Sequence, residues 1–278
     1  MKSWEETIVY IRSKPEYKNL VEKAYFEENL SLNVERFKNS IEFAETVKLL
    51  KKYNKTGTKI LDIGCGNGIS SIAFSLNGYD VTAVEPDPSE TIGAGAIKKL
   101  IDFYNLKNII VFESYAEDIG FKDETFDVVY IRQAMHHANN LNKFISESAR
   151  VLKKGGVLLT IRDHVIFDEE DKKAFLDYHP LQKYYGGENA YKSSEYENAM
   201  TLAGLKIEKK IKTFENEINY FPITKSNIRK SKIKKVIGSV IIKLMPFLVS
   251  KYFKKEINDL LDERVYLGRM YSYVAIKK

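Results

Sequence analysis

The chain has 278 residues, 44% of them hydrophobic, which is enough for one sizeable α/β core with appendages and short for two large independent domains. Its single cysteine, Cys65, excludes an internal disulfide framework and a cysteine-rich metal site. The N-terminal residues MKSWEETIVYIRSK lack the apolar core of a secretory signal, and the longest apolar run, 236–249, contains Lys243 and Pro246 and is too short to span a bilayer. These features predict a cytoplasmic location.

The net charge of +6 is concentrated in one stretch of the chain. Residues 225–255 contain ten Lys or Arg and no Asp or Glu, whereas the rest of the chain has 34 basic against 38 acidic residues. Seven apolar residues of this stretch recur at helical spacing, and lysines fill much of the opposite side. The pattern is typical of a helix that packs on the core, and also of one that lies on an anionic membrane surface. Both interpretations remain open, whereas nucleic acid is not expected as a partner because no RNA-binding module is recognisable.

The elements predicted in chain order begin with helix over residues 1–52, where Phe37, Ile41 and Ala44 fall at helical spacing. From residue 58 a pattern of strand, turn and helix repeats. Its strands are TKILDIG, DVTAVE, IIVFE, FDVVYIR and VLLTIR, and its clearest helices are ISSIAFSLNG, which ends at Gly78, and LNKFISESARVLKKGG. This alternation indicates a parallel sheet covered by helices on both faces.

Two further strands are predicted in the C-terminal part, at 205–214 and 269–278. About 55 residues of lysine-rich, helix-leaning sequence separate them, which is far longer than an ordinary connection, and we interpret this stretch as an insertion. The predicted organisation is a helical N-terminal cap, a core, a basic helical insertion and a final core strand, at residues 1–52, 53–213, 214–268 and 269–278.

A glycine turn, GCGNG, follows the first predicted strand and precedes a helix. Unpaired backbone N–H groups at the positive end of a helix favour a polar or anionic ligand. The spacing is G-x-G-x-G, which differs from the G-x-G-x-x-G of dinucleotide sites, and Asp62 before the turn suits a cationic group better than a pyrophosphate. Glu85 ends the next strand, where a carboxylate can accept both hydroxyls of a ribose. The turn therefore predicts a nucleoside-sized cofactor with a cationic part.

The stretches ILDIGCGNG, VTAVEPD and ARVLKKGGVLL resemble class I S-adenosylmethionine-dependent methyltransferases, over roughly residues 55–165. The resemblance implies a Rossmann-like α/β fold, with a seven-stranded, mostly parallel sheet, helices on both faces and one antiparallel edge strand. It also implies S-adenosylmethionine as cofactor and S-adenosylhomocysteine as product. Asp62 and the glycines would line the methionine end, Glu85 would bind the ribose, and Ala116 would lie beside the adenine. The predicted cofactor-binding residues are Asp62, Gly64, Cys65, Gly66, Glu85, Pro86, Ala116, Glu117 and Arg132.

All four histidines lie between residues 136 and 179. His136 follows the fourth predicted strand and Asp163 the fifth, at the ends that border the ligand crevice of an open α/β sheet. The arrangement resembles sugar O-methyltransferases of the class, in which a histidine after the fourth strand works with an aspartate after the fifth, and the chain is similar to a UbiE-like and sugar O-methyltransferase-like subgroup. We predict that His136 is the base and Asp163 its partner, although a histidine pair at this place can also simply shape the pocket. No metal site is predicted, because the histidines lack a supporting carboxylate pattern.

The stretch HPLQKYYGGENAY, 179–191, combines aromatic residues, two glycines and a carboxylate, and is predicted to be an acceptor-binding loop. The predicted substrate-binding residues are His137, His164, Tyr185, Glu188 and Asn189.

The predicted function is methyl transfer to a small or lipid-linked acceptor, with a sugar or glycan hydroxyl preferred and a link to surface glycans suggested by the subgroup. Three alternatives are methylation of a quinone-like or lipid ring, methylation of RNA, and a non-catalytic module that binds S-adenosylmethionine. A lipid-linked acceptor would suit a protein held at the inner face of an anionic membrane through 225–255.

Overall fold

The computed structural model describes residues 1–222 and 266–278. Its N-terminal helices are α1 (Trp4–Arg12), α2 (Lys18–Lys23), α3 (Leu30–Lys38) and α4 (Ile41–Tyr53). The core elements that follow are β1 (Lys59–Ile63), α5 (Ile69–Leu76), β2 (Asp80–Val84), α6 (Ala94–Tyr104), β3 (Ile109–Phe112), β4 (Phe126–Arg132), α7 (Leu141–Val151) and β5 (Leu152–Ile166). The remaining elements are α8 (Glu169–Tyr178), α9 (Gln182–Tyr185), β6 (Tyr191–Lys192), α10 (Ser193–Leu202), β7 (Leu205–Ile211), α11 (Glu217–Tyr220) and β8 (Met270–Lys277).

Polar side chains determine where three of the N-terminal helices begin. Ser3 forms a capping box with Glu6 at the start of α1. Asn29 and Ser40 accept hydrogen bonds from backbone N–H groups in the first turns of α3 and α4. Each of these oxygens satisfies a backbone donor that has no partner within its helix. Helices therefore occupy the region for which the spacing of apolar residues predicts helix.

The strands form one mixed sheet in the order β3-β2-β1-β4-β5-β8-β7, with β6 paired to β5 beside this path. Strands β1 to β5 are parallel to one another. The sheet has eight strands rather than the seven predicted, because the two-residue β6 pairs with the end of β5.

The antiparallel strand is internal, and its predicted place at the edge of the sheet is wrong. Strand β8 runs antiparallel to both β5 and β7 and lies between them. Five of its eight residues are buried, whereas the sequence LKIEKKI of β7 carries three lysines and a glutamate. Charged residues protect a sheet edge from further pairing, so the charged β7 rather than the apolar β8 forms the edge.

Helices cover both faces of the sheet. Successive strand residues point to opposite faces, so Ile60 of β1 packs with Phe37 and Phe74, from α3 and α5, on one side. Leu61 packs on the other side with Phe144 and Tyr196, which come from α7 and α10. This mostly parallel sheet between two helical layers confirms the predicted α/β fold class.

Residues 225–255, for which a basic amphipathic helix is predicted, lie outside the described residues. Among residues 1–222 and 266–278, none of the helices has the length and apolar character needed to cross a membrane.

Candidate active site

The ends of β1, β2, β4 and β5 border a cavity of about 900 Å³. Parallel strands end at the same edge of a sheet, so the polar residues that follow them meet there. This volume is within the usual range for sites that bind small molecules. The predicted site residues that line the cavity are Gly64, Cys65, Gly66, Glu85, Pro86, Ala116, Glu117, Arg132, His136, His137, His164, Tyr185 and Glu188.

The glycine turn after β1 has a conformation that requires glycine. Gly64, Gly66 and Gly68 have φ angles of +66°, +56° and +80°, in the left-handed region. A Cβ added to Gly64 would lie 2.6 Å from the Cβ of Ala134, and one added to Gly68 would lie 2.7 Å from Ile97. The turn can thus pass close to β4 and α6 only without side chains at these positions.

Glu85 joins this turn to the end of β2. The backbone N–H of Gly66 donates to Oε2 of Glu85 at 2.7 Å, and the N–H of Asp87 donates to Oε1 at 3.0 Å. Burial raises the pKa of Glu85 to about 7, against the opposing effect of these two N–H donors. The carboxylate is therefore held in one position at the cavity surface, where hydroxyl donors of a ligand would favour its ionised form.

Asp62 does not line the cavity, contrary to the prediction that it contacts the cofactor. Its side chain is fully buried, and the hydroxyls of Ser70 and Ser71 donate to Oδ2 at 2.7 and 2.6 Å. Both serines lie in the first turn of α5, so Asp62 fixes the start of that helix against β1. Burial raises the pKa of Asp62 to about 6, although the two serine hydroxyls oppose this.

Arg132 lines the cavity, but its guanidinium already has a carboxylate partner. Its Nε and Nη2 donate to the two oxygens of Glu42 at 2.6 and 3.2 Å. Arg162 also donates to Glu42, through Nη1 at 3.0 Å, so that one buried carboxylate serves two arginines. Sequence reasoning missed this cluster, although Glu42 on the buried side of α4, near Thr46 and Leu49, was a visible signal.

The predicted adenine side of the cavity is built on Ala116 and Glu117. Oε1 of Glu117 accepts hydrogen bonds from the backbone N–H groups of Asn139 and Asn140 at 2.9 and 3.3 Å. Glu117 thereby connects the segment after β3 to the start of α7. Cys65, which is 8% exposed, has a pKa raised well above its usual value by burial, so its thiol is a small packing group rather than a nucleophile.

His136 and Asp163 form the buried pair that their positions after β4 and in β5 predict. Nδ1 of His136 lies 3.1 Å from Oδ1 of Asp163, and the backbone N–H of His136 donates to the same oxygen at 3.2 Å. An ionised carboxylate can only accept, so Nδ1 donates to ionised Asp163, and Nε2 then keeps a lone pair. Burial lowers the pKa of His136 and raises that of Asp163 to about 8. Asp163 itself lies behind the imidazole and does not line the cavity.

Three of the four histidines lie around Glu188, a residue that the sequence assigns only to an acceptor loop, and the fourth, His164, packs on His136. Nε2 of His136 and Nε2 of His137 both lie 4.0 Å from Oε2 of Glu188, and Nδ1 of His179 lies 3.6 Å from its Oε1. The ring of His164 packs against that of His136 at 4.8 Å. The expectation that no carboxylate supports the histidines is therefore wrong, because tertiary packing supplies Glu188.

The 179–191 stretch also meets the N-terminal helices. The ring of Tyr185 packs on Trp4 of α1 with centroids 5.1 Å apart, and Trp4 in turn contacts Phe26 at 5.7 Å. Asn189, predicted to bind substrate, does not line the cavity, because the chain turns away into β6. This wall of the cavity is therefore made jointly by α1 and the loop.

The fold and the site together define the class of protein. A mostly parallel sheet presents a glycine turn after β1 and a carboxylate after β2 to one cavity, which is the arrangement of class I S-adenosylmethionine-dependent methyltransferases. Residues 36–210 match the family model described as a methyltransferase domain. The chain belongs to this family, and S-adenosylmethionine is its cofactor. The residues present fit the cofactor, since the carboxylate of Glu85 lies at the cavity beside the glycine turn, where it could accept hydrogen bonds from ribose hydroxyls.

Two relatives give the extent of sequence similarity. The chain is 33% identical to the uncharacterized methyltransferase YcgJ of Bacillus subtilis over 113 residues, which are 38% of this chain and 40% of that protein. It is 34% identical to the 27-O-demethylrifamycin SV methyltransferase of Amycolatopsis mediterranei over 109 residues, 37% of this chain and 38% of that protein. The chain thus spans about two fifths of the length of these relatives.

Solved structures extend the likeness of fold. The crystal structure of YcgJ superposes with a TM-score of 0.55 at 20% identity, over 85% of this chain and 99% of that one. Geranyl diphosphate C-methyltransferase from Streptomyces coelicolor, in complex with Mg²⁺, geranyl diphosphate and S-adenosylhomocysteine, gives a TM-score of 0.57 at 15% identity, over 85% of this chain and 79% of that one.

Proposed function

We propose that the protein transfers the methyl group of S-adenosylmethionine to a hydroxyl of a sugar or glycan, either small or lipid-linked. The observation that carries this proposal is the buried pair of His136 and Asp163, because His136 lines the same cavity as the glycine turn and Glu85. An alcohol must lose its proton when it attacks a methyl group, so an oriented base suits a hydroxyl acceptor.

Each residue then has a distinct task. When bound, the cofactor supplies an electrophilic methyl group on a sulfonium. Glu85 and the glycine turn position it, and positioning in a pocket shielded from water provides much of the catalysis. Because burial lowers the pKa of His136, its imidazole is neutral near pH 7 and can accept the acceptor's proton at Nε2. In its ionised form, Asp163 would hold the Nδ1–H tautomer and stabilise the imidazolium that forms.

The acceptor side is proposed from the aromatic and carboxylate groups of the 179–191 stretch. Tyr185 can stack on a ring, and Glu188 can accept hydrogen bonds from hydroxyls. The names of the relatives and neighbours mention acceptors as different as a rifamycin derivative and geranyl diphosphate. The sugar acceptor is therefore proposed from the residues of this chain and not from those names.

We also propose that residues 225–255 hold a cytoplasmic protein at an anionic membrane, where a lipid-linked acceptor would lie. Their ten positive charges without a negative one would favour anionic lipids by about 1 kcal/mol for each charge near the surface. Co-sedimentation with phosphatidylcholine vesicles that contain either no phosphatidylserine or about 30 mol% of it tests this. Equal binding to both vesicle types at low salt would contradict it.

The experiment for the acceptor follows a labelled methyl group from S-adenosylmethionine into cell extracts separated into lipid, soluble glycan, RNA and protein. Label in the glycan or lipid-linked glycan fraction supports the proposal. Label only in RNA, or only in a ring lipid, would replace the sugar by one of the alternative acceptors. Cofactor binding with no label in any fraction would favour a non-catalytic module.

A further inference from the structure

The imidazoles of His136 and His137 are both fixed with Nδ1 as the donor. Nδ1 of His137 lies 2.9 Å from the carbonyl oxygen of Gly187, which can only accept, so Nδ1 carries the proton. Nδ1 of His136 donates to Asp163, as described above. In both rings the lone pair is therefore on Nε2.

Both lone pairs face one carboxylate. The two Nε2 atoms each lie 4.0 Å from Oε2 of Glu188. One possible ligand atom from each of the three residues lies within 4.8 Å of the other two. Side-chain exposure is 2% for His136 and 5% for Glu188. His137 is 37% exposed, so the three acceptor atoms converge at the edge of the buried region, where they leave lone pairs unpaired unless a proton or a metal ion lies between them.

We propose that His136, His137 and Glu188 bind a divalent transition-metal ion of the Zn²⁺ or Co²⁺ type. Two imidazole nitrogens and a carboxylate are ligands that such ions prefer, and three protein ligands leave a coordination position open. Metal-binding histidines usually donate their other N–H to a carboxylate or a backbone carbonyl, which are the partners found here in Asp163 and Gly187.

Metal binding requires the three ligand atoms to move closer together. Ligands about 2.1 Å from a tetrahedral ion lie about 3.4 Å apart, so the two 4.0 Å distances must shorten by roughly half an ångström, and the widest separation, within 4.8 Å, by at most about 1.4 Å. Glu188 lies in a loop with glycines before it, and His179 contacts its other oxygen, at 3.6 Å, from the opposite side. His136, His137 and Glu188 all line the cavity, so an acceptor in the cavity could reach an ion held by them.

The ion would change how the acceptor loses its proton, and this consequence rests on the proposed function. Nε2 of His136 cannot bind an ion and accept a proton at the same time. In the loaded protein the acceptor oxygen would occupy the open position, and the ion would lower the pKa of its hydroxyl so that the proton leaves to solvent. That oxygen then bonds to the methyl carbon, while the carbon–sulfur bond breaks and its electrons stay on sulfur.

Metal binding can be tested without cofactor or acceptor. The full chain, free of any histidine tag, has four histidines and one buried cysteine, so few other strong ligand sets exist. Titration with Co²⁺, followed by its visible absorption, and calorimetry with Zn²⁺ are expected to give one site for each chain. Glu188→Gln and His137→Gln should each weaken binding by more than about 100-fold, and Asp163→Asn by about 10–100-fold.

The matched control is Glu117→Gln, which removes a carboxylate from the same cavity without touching a histidine and should leave metal affinity unchanged. The side chain of His137 is 37% exposed, so its substitution should leave the fold intact, and His137→Gln serves as a second variant beside Glu188→Gln. Absence of saturable binding, or equal affinity in wild type and Glu188→Gln, would overturn the metal site. If the metal site is wrong but the proposed function holds, chelator-treated protein would still transfer methyl groups. If the proposed function is wrong but the metal site holds, the protein would bind Co²⁺ and transfer no methyl group.

Discussion

Burial sets the ionisation of the residues around the cavity. Glu85 and Asp163, each with limited access to water, have pKa values raised to about 7 and about 8, and burial lowers the pKa of His136. Burial disfavours the charged form of a titratable group, so the protonation state of these residues changes when a ligand or partner stabilises the charge. Glu85 and His136 line one cavity and Asp163 lies directly behind His136, and perturbed groups this close together are typical of functional sites.

Replacement of Glu85 by glutamine tests the ribose contact. The affinity for S-adenosylhomocysteine should fall by about 1.5–3 kcal/mol, because hydrogen bonds to a charged acceptor are lost. In the wild type, affinity should also rise as the pH increases through about 7, where the carboxylate becomes ionised. Calorimetry from about pH 6 to about pH 8, roughly one unit either side of that pKa, measures both the loss of affinity and its pH dependence. A glutamine variant with the same pH dependence as the wild type would remove Glu85 from this role.

Replacement of His136 by glutamine tests the proposed base. The single-turnover rate of methyl transfer should fall by about 10²–10⁴-fold, while affinity for S-adenosylhomocysteine stays close to that of the wild type. Rapid-quench measurement with the identified acceptor gives the rate, and calorimetry gives the affinity. An unchanged rate would show that the histidine only shapes the pocket.

At the scale of elements, one buried carboxylate connects the N-terminal helices to the sheet. Glu42 of α4 binds Arg132 at the end of β4 and Arg162 in β5. Burial raises the pKa of Glu42, but the two arginines outweigh this and the net pKa is lowered. The ionised carboxylate therefore stabilises the fold at neutral pH, and this contribution is lost as the pH falls through the lowered pKa.

The change Glu42→Gln should lower the free energy of unfolding by about 3–5 kcal/mol, because two buried guanidiniums lose their counterion. Glu45→Gln on the same helix is the control, since Glu45 pairs with the exposed Lys48 and such pairs contribute about 0–1 kcal/mol. Urea unfolding followed by circular dichroism measures both. Equal losses for the two variants would contradict the role of the cluster.

The glycine turn gives a second prediction at this scale, from the pair Gly64→Ala and Gly78→Ala. Both positions have positive φ, so both variants pay about 1–2 kcal/mol of backbone strain. Only at Gly64 does the added Cβ clash, 2.6 Å from Ala134, which adds about 1–3 kcal/mol, whereas nothing lies within 4 Å at Gly78. Denaturation should rank Gly64→Ala as less stable, and it should bind S-adenosylhomocysteine more weakly. Equal behaviour of the two variants would show that the turn moves away from β4 at no cost.

At the scale of the whole molecule, segments that are distant in the sequence line the cavity together. Strand ends form one side, and α1, α2 and the 179–191 stretch form another. Small apolar clusters hold that second side together, with Ile8 and Ile11 packed on Val21 and Leu181. Such a wall has a limited core of its own, so its stability depends on what fills the cavity.

Cofactor binding should therefore protect the N-terminal helices from hydrogen exchange. At 100 times its dissociation constant, S-adenosylhomocysteine stabilises the folded state by about 2.7 kcal/mol, and local opening of α1 and α2 should slow most. Exchange followed by mass spectrometry checks this, with α10, which does not line the cavity, as the internal control. Equal protection of α1 and α10 would mean that the N-terminal helices do not close over the cofactor.

The sequence by itself determined the parallel core, the glycine turn and the position of Glu85 at the end of β2. These features depend on local properties: strand and helix periodicity, the left-handed backbone that Gly64 requires, and the rule that parallel strands end at one edge. The pairing of His136 with Asp163 was also predictable, because it needs only that β4 and β5 are neighbours.

Only the tertiary structure decided which partners the remaining charged and polar groups meet. It placed Glu188 among the histidines, gave Glu42 to Arg132, turned Asp62 away from the cavity and put β8 inside the sheet. None of these follows from spacing, since each depends on how a loop, an N-terminal helix or the last strand packs against the core. The physical reason is that a buried charge takes the partner that packing brings to it, however distant that partner is in the chain.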